Sequence, residues 1–474
     1  MKENLAILLL LLITTVLYSI ILVRAYDSTR AEESADFSAA FEKEELVRAS
    51  AIDMLPSPTP SPTPSPAPSP TAVPTQAPTP VPFSGRETEA VSVITPADGK
   101  EEATGKPSAT TTPTTTPTAT PTPTPMDLIV DLDYNSDVDD TAALRIAATL
   151  SNMGKVKIHA VMASTGGEDV CKALHAQLSY DGYGSVPIGA AVQDIPGGSP
   201  YWDELIGRYF NPADYKVCNS VELYKKVLRE LDAVEKEKEK ERKRLKEEYK
   251  EQKEAYEEAV KRGEEPEELP EFELPPELEE TEKLRIVTTG YLVNVAGLIS
   301  DPEGNKLMSK YVDSVWITGG IYLQGEDHNF VVTQECADAA QLVLKFSPVP
   351  LVYSSSASVD AEGVGTIFCG SGIQHLDTAG RDPVAIAFRA YGKANDTPMN
   401  GGRYAWDPFC LWAASVLPEE SQTHLEPVHL NLGDKGYNTF RYDLPANCRI
   451  IRRNSDDLGW YAQQLELLIN AGCR

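Results

Sequence analysis

Residues 128–141 read LIVDLDYNSDVDDT, and this stretch decides how the chain folds. Leu128, Ile129 and Val130 open an apolar run of strand character that ends in carboxylates at Asp131 and Asp133. A helical pattern from Thr141 to Leu150 follows directly. A strand that feeds a helix through a short polar turn is the building unit of a parallel α/β sheet, whose ligands gather beyond the carboxyl ends of the strands. Asp133, Asp137, Asp139 and Asp140 crowd this turn at the helix N-terminus, where the helix dipole offsets part of their repulsion. Carboxylates packed so closely favour a bound cation, and their oxygens suit Ca2+ or Mg2+.

Two other patterns start in the same way and then fail. Asp131, Asp133 and Asn135 match the opening of an EF-hand loop, but Ser136 stands at its turn glycine and Ala142 at its bidentate Glu. A strand-end DxD also introduces an aspartyl nucleophile in some phosphatases, yet Asn135 occupies the place of the Thr that accompanies it.

Outward from this turn the rhythm repeats. Strand-like runs at 157–161, 285–288, 314–317 and 349–352 alternate with amphipathic stretches such as Val221–Leu231. The expectation for 126–474 is one α/β domain, a mostly parallel open sheet flanked by helices. Residues 232–283 break the pattern. They are mostly Glu and Lys, read as one helix to about Lys261 with an acidic, Pro-containing return, and are expected to project as a charged helical insertion. Leu245, Tyr249, Tyr256 and Val260 form a stripe too thin for a coiled coil.

Before the domain, residues 26–125 are polar and then Pro/Thr/Ser-rich, a composition that buries no core and favours extended polyproline geometry. Residues 1–25 contain 19 uncharged residues from Leu5 to Val23. That length nearly spans a hydrocarbon core and favours an uncleaved membrane anchor over a cleaved signal peptide ending near Ala25. Either reading places the domain outside the cytoplasm. The formal charge of −28, from 71 acidic and 43 basic residues, argues against nucleic acid as a partner. Seven cysteines without a CxxC pair read best as buried free thiols.

Asp131-x-Asp133 with Asp139-Asp140, then TGYLVN at 289–294, Gly319-Gly320, Asp327-His328-Asn329, Trp406-Asp407-Pro408 and GYNTF at 436–440 follow in order along the chain. This series resembles the inosine-uridine-preferring nucleoside hydrolase family over about 126–445. The resemblance implies a nucleoside hydrolase-like fold and a Ca2+ held by Asp133, Asp140, the Thr289 carbonyl and Asp407. It also implies that Asp133 is the catalytic base and that Asp139, Asp327 and Asn329 hold the sugar; Trp406 reads either as core or rim packing or as a ring that stacks on the base. Release of a base from a nucleoside or related ribosyl compound is the activity implied. The oligomeric state stays open, with a homo-oligomer compatible.

The chain departs from the family at several points. The acidic turn is longer by two residues, leaving Asp137 surplus. Trp406 replaces a His that protonates the leaving base in several members. Leu323–Glu326 shortens the loop that reaches the sugar's 5′ end, and residues 164–167 (STGG) replace an expected Asn. A non-catalytic ribose- or glycan-binding module on the same fold is the alternative reading. Of the histidines, only His328 falls in the expected substrate loop.

Overall fold

The computed structural model describes residues 125–472 except 136, 192, 266–273, 275–282, 362–364 and 400. These residues belong to the unit Thr122–Arg474. Its strands are β1 (Met126–Leu132), β2 (Val156–Ala163), β3 (Ile188–Ala190), β4 (Val217–Asn219), β5 (Leu284–Thr288), β6 (Val312–Thr318), β7 (Gln324–Glu326), β8 (Leu351–Ser354), β9 (Thr423–Leu432), β10 (Tyr437–Arg441) and β11 (Cys448–Arg453). They form an 11-stranded sheet in the order β4-β3-β2-β1-β5-β6-β8-β11-β9-β10-β7. Neighbours from β4 through β11 run parallel, and the β9, β10 and β7 end is antiparallel. The expected mostly parallel α/β sheet is therefore what the chain forms.

Side chains along the central strands alternate between two cores. Leu128, Val130 and Leu132 of β1 pack into one, and Ile129 packs into the other. The first core is covered by α1 (Asp139–Asn152), α2 (Glu168–Asp181) and α3 (Trp202–Tyr209). The root of α4 (Ser220–Lys261), together with α5 (Val293–Ser300), α6 (Pro302–Tyr311) and α7 (Gln334–Phe346), covers the second. Both faces of a parallel sheet are thus buried, which explains why its strands read as continuous apolar runs.

Three local expectations need adjustment. The apolar run at 349–352 becomes a strand only from Leu351, because Pro350 has no N–H to give to a ladder. The charged stretch continues the amphipathic helix before it without a break, α4 running for 42 residues from the core into solvent. Leu223, Tyr224, Val227 and Leu228 anchor its root, while ion pairs such as Lys243–Glu239 (2.8 Å) and Arg244–Glu248 (2.6 Å) line its exposed part. Each such pair supports a helix by about 0.2–0.5 kcal/mol. The return of the arm lies almost wholly outside the described residues.

The third adjustment is a correction to the expected membrane helix. Among the described residues no helix is long and apolar enough to cross a membrane. Leu5–Val23 and the linker lie outside the described residues. The six described cysteines are free, and all but Cys218 are buried.

Candidate functional site

The strand order reverses at β1. Successive strands step one way through β2, β3 and β4, and β5 then returns to the other side of β1. Such a switch point opens a crevice beyond the strand ends, and the two strands that flank it end in Asp131–Asp133 and Thr289. Gly290 permits the close approach. A Cβ there would fall 2.3 Å from the Asp133 nitrogen and 2.5 Å from Ser164 Oγ.

Helix α1 begins at Asp139, two residues earlier than its apolar pattern suggests, so Asp139 and Asp140 form its first turn. No side chain caps this N-terminus. Asp407 stands in the first turn of α8 (Trp406–Ser415). Carboxylate oxygens of Asp139, Asp140 and Asp407 lie within 4.8 Å of one another. Asp133 adjoins Asp140 but is not one of the three acids whose oxygens come together, Asp139 standing in that group instead. Thr289 Oγ1 donates to Asp140 Oδ1 at 3.1 Å. All four acids are buried.

Burial is the main cause that raises the pKa of each of these acids, followed for Asp140 by the charge of Asp133, for Asp407 by Asp139 and for Asp139 by Asp137. Asp133 is also raised by burial, against the pull of the adjoining Asp140 and of the His328 charge. Four buried carboxylates without a partner cation cannot all ionise, whereas a hard divalent cation would compensate them together. The donor set is oxygen only and fits Ca2+ or Mg2+ chemistry.

The loop between Asp133 and α1 is pinned on all sides. Tyr134, at φ 46°, donates its hydroxyl to Gln177 at 2.6 Å, and its carbonyl accepts from Trp202 Nε1 at 3.0 Å. Asn135 Oδ1 accepts from the Gly198 nitrogen at 2.8 Å, and Asn135 Nδ2 donates to the Tyr291 hydroxyl at 3.2 Å. Asp131 lies beneath the cluster, accepting from Tyr224 OH at 2.9 Å and Asn294 Nδ2 at 3.0 Å. Burial pushes its pKa up to about 7 despite those two bonds.

The remaining expected residues sit around this centre. Asp327 caps the short helix His328–Val331, accepting from the Asn329 nitrogen at 3.0 Å, and burial raises it to about 6. Asn329 Nδ2 donates to the Thr289 carbonyl at 2.9 Å and to the Thr318 carbonyl at 3.2 Å, tying the ends of β5 and β6 together. The carbonyl assigned to the cation by resemblance thus has one acceptor direction already used. Trp406 is half-buried and stacks on Tyr404, with ring centroids 4.6 Å apart and planes at 5°.

Several site residues were not singled out from the sequence. The surplus Asp137 pairs with Arg403, Nη2 to Oδ2 at 2.6 Å. Arg403 and Tyr404 carry no motif of their own, and only their position just before Trp406-Asp407 hinted at the site. Tyr224 was equally silent, and Tyr291 and Asn294 fall within the TGYLVN stretch with no role assigned to them.

No family model matches the chain, and no curated protein matches it. Among solved structures, a plant nucleoside hydrolase is 13% identical, covering 73% of this chain and 99% of its own, with a TM-score of 0.46. An inosine-guanosine nucleoside hydrolase is 14% identical, covering 73% of this chain and 98% of its own, with a TM-score of 0.47. These are distant similarities of shape, so the functional reading rests on the residues of the crevice.

Proposed function

We propose that the domain hydrolyses the N-glycosidic bond of a nucleoside or related ribosyl compound with the help of a Ca2+ ion. The observation that supports this most is the buried carboxylate cluster at the switch point, which brings Asp139, Asp140 and Asp407 within 4.8 Å and Asp133 against Asp140. Asp133, Asp140, Asp407 and the Thr289 carbonyl would hold the cation, with Asp139 facing the sugar. Bound there, a divalent cation orients vicinal hydroxyls and makes a nearby water more acidic.

The residues of the chain supply the rest. Breaking the bond from C1′ to the base nitrogen passes through an oxocarbenium-like state, which adjacent carboxylates stabilise electrostatically. As the water oxygen adds to C1′, its proton passes to Asp133, whose backbone lies against Gly290 at the end of β5. Asp139 accepts from a sugar hydroxyl, and Asp327 with Asn329 borders the opposite wall.

The test is a panel of nucleosides incubated with the protein and Ca2+, with and without chelator, followed by assay of free base and reducing sugar. Base release that chelator abolishes supports the proposal. Ca2+ binding without release from any nucleoside would leave the ribose-binding module instead.

A further inference from the structure

Beside the acid cluster stands a cation that nothing in the proposed mechanism uses, Arg403. Arg403 stands on the two-residue strand Arg403–Tyr404, which pairs with Phe368–Cys369. Its Nε donates to Asp137 Oδ1 at 2.9 Å and its Nη2 to Asp137 Oδ2 at 2.6 Å. The hydrogen bonds that Arg403 makes among the described residues come from Nε and Nη2, not from Nη1. The guanidinium lies over three rings, 5.3 Å from the centroid of Tyr391, 5.1 Å from Tyr404 and 5.5 Å from Trp406. Phe368 packs against Tyr404 at a tilt of 35°, with centroids 4.8 Å apart. One edge of the guanidinium is therefore fixed by a bidentate ion pair and its plane by aromatic packing, which together preorganise it at little further entropic cost.

Its location matters for chemistry. Asp137, which the guanidinium holds, stands two residues before Asp139, the acid proposed to face the sugar; Asp139 Oδ2 accepts from the Asp407 nitrogen at 3.5 Å, and the Trp406 ring against the guanidinium shares the first helical turn with Asp407. A base attached at C1′ of a sugar held by Asp139 thus meets the Arg403–Tyr404–Trp406 face. Arginine only donates hydrogen bonds and stays protonated, so it serves an acceptor that gains negative charge, and it supplies no proton.

We propose that Arg403 is a catalytic residue that stabilises the leaving base as an anion while its bond to the sugar breaks. This inference rests on the hydrolase reading. The C1′–N bond breaks with its electron pair passing to the base nitrogen and on to a neighbouring carbonyl, which accepts from an Arg403 N–H. The water oxygen bonds to C1′ and gives one proton to Asp133. The released base anion takes a proton from solvent and Asp133 returns its own to solvent, so that substrate and one water yield sugar and neutral base. The leaving groups favoured are those with an acceptor beside the glycosidic nitrogen, of which uracil is the simplest.

The experiment compares uridine with p-nitrophenyl β-D-riboside, whose phenolate departs readily unaided, using the full chain with Ca2+. Arg403→Gln is measured alone and with Asp137→Asn, the second change removing the unpaired acid that the first leaves. Thermal melting confirms that each variant folds. Loss of one preorganised donor predicts a drop on the order of 10²–10³-fold on uridine and little change on the nitrophenyl riboside. Added guanidinium ion is expected to restore part of the uridine activity. Equal losses on both substrates would show a merely structural role and overturn the proposal. So would a uridine-selective loss in His328→Gln with none in Arg403→Gln, which would make the imidazole a proton donor to the base. If the unmodified protein cleaves neither substrate, the hydrolase reading itself fails and this inference falls with it.

Discussion

Asp133 carries the heaviest chemical assignment in the crevice, because it is the proposed base and adjoins Asp140. Replacing it with Asn keeps the shape and removes the basic oxygen. A general base typically contributes about 10²–10⁴-fold, so Asp133→Asn is expected to lose at least that much turnover. Its melting temperature without Ca2+ should not fall, since one of several mutually repelling acids has become neutral. Steady-state kinetics beside calorimetry checks both halves. At this scale the sequence was most informative about the acids, because carboxylates bunched in one turn have few bland explanations. It was silent about their partners. Asp137 finds Arg403 across 266 residues, and Asp131 finds Tyr224 across 93, with no local pattern marking either pair.

Among the elements, α1 is the one that the site depends on most. Its first turn presents Asp139 and Asp140, and its middle is fixed by Arg145, which is 1% exposed. Arg145 Nε donates to Asp181 of α2 and Nη1 to Asp382, each at 2.8 Å. Asp382 in turn caps the helix Pro383–Ala394 by accepting from the Val384 nitrogen at 2.9 Å. Removing one partner of a buried ion network leaves uncompensated charge and costs about 3–5 kcal/mol. Arg145→Met should lower stability by that amount in urea unfolding, and an effect below about 1 kcal/mol would contradict a structural role for the network. Long apolar elements such as β1, β2 and β5 were legible because parallel strands are buried on both faces. The two-residue strands at 368–369 and 403–404 were not, since so short a ladder has no periodicity, and they carry Arg403.

For the molecule as a whole, the raised acids link stability to pH. Asp131 lies at about 7 in the folded protein against an ordinary 3.8, Asp327 lies at about 6, and Asp133, Asp139, Asp140 and Asp407 are raised as well. Between the ordinary value and about 7 the folded state holds more protons than the unfolded chain, so stability falls as pH rises through that window. In chelator the protein should melt at a lower temperature at pH 8 than at pH 5. Added Ca2+ should recover much of the difference at pH 8 and less at pH 5, where protons compete for the ligands. A melting temperature in chelator that rises from pH 5 to pH 8 would contradict this linkage. The sheet class could be read from alternating elements, but the strand order could not. The return of β5 to the side of β1, which creates the crevice, depends on long-range pairing that no local stretch encodes.

The most direct test of the central claim is calorimetric titration of Ca2+ into the chelator-treated protein and into two charge-matched variants, Asp140→Asn and Asp137→Asn. One site per chain is expected, abolished by Asp140→Asn, whose carboxylate lies among Asp133, Asp139, Asp407 and Thr289, and retained by Asp137→Asn, whose carboxylate is engaged by Arg403. Absence of binding in the unmodified protein, or full binding by Asp140→Asn, would contradict it.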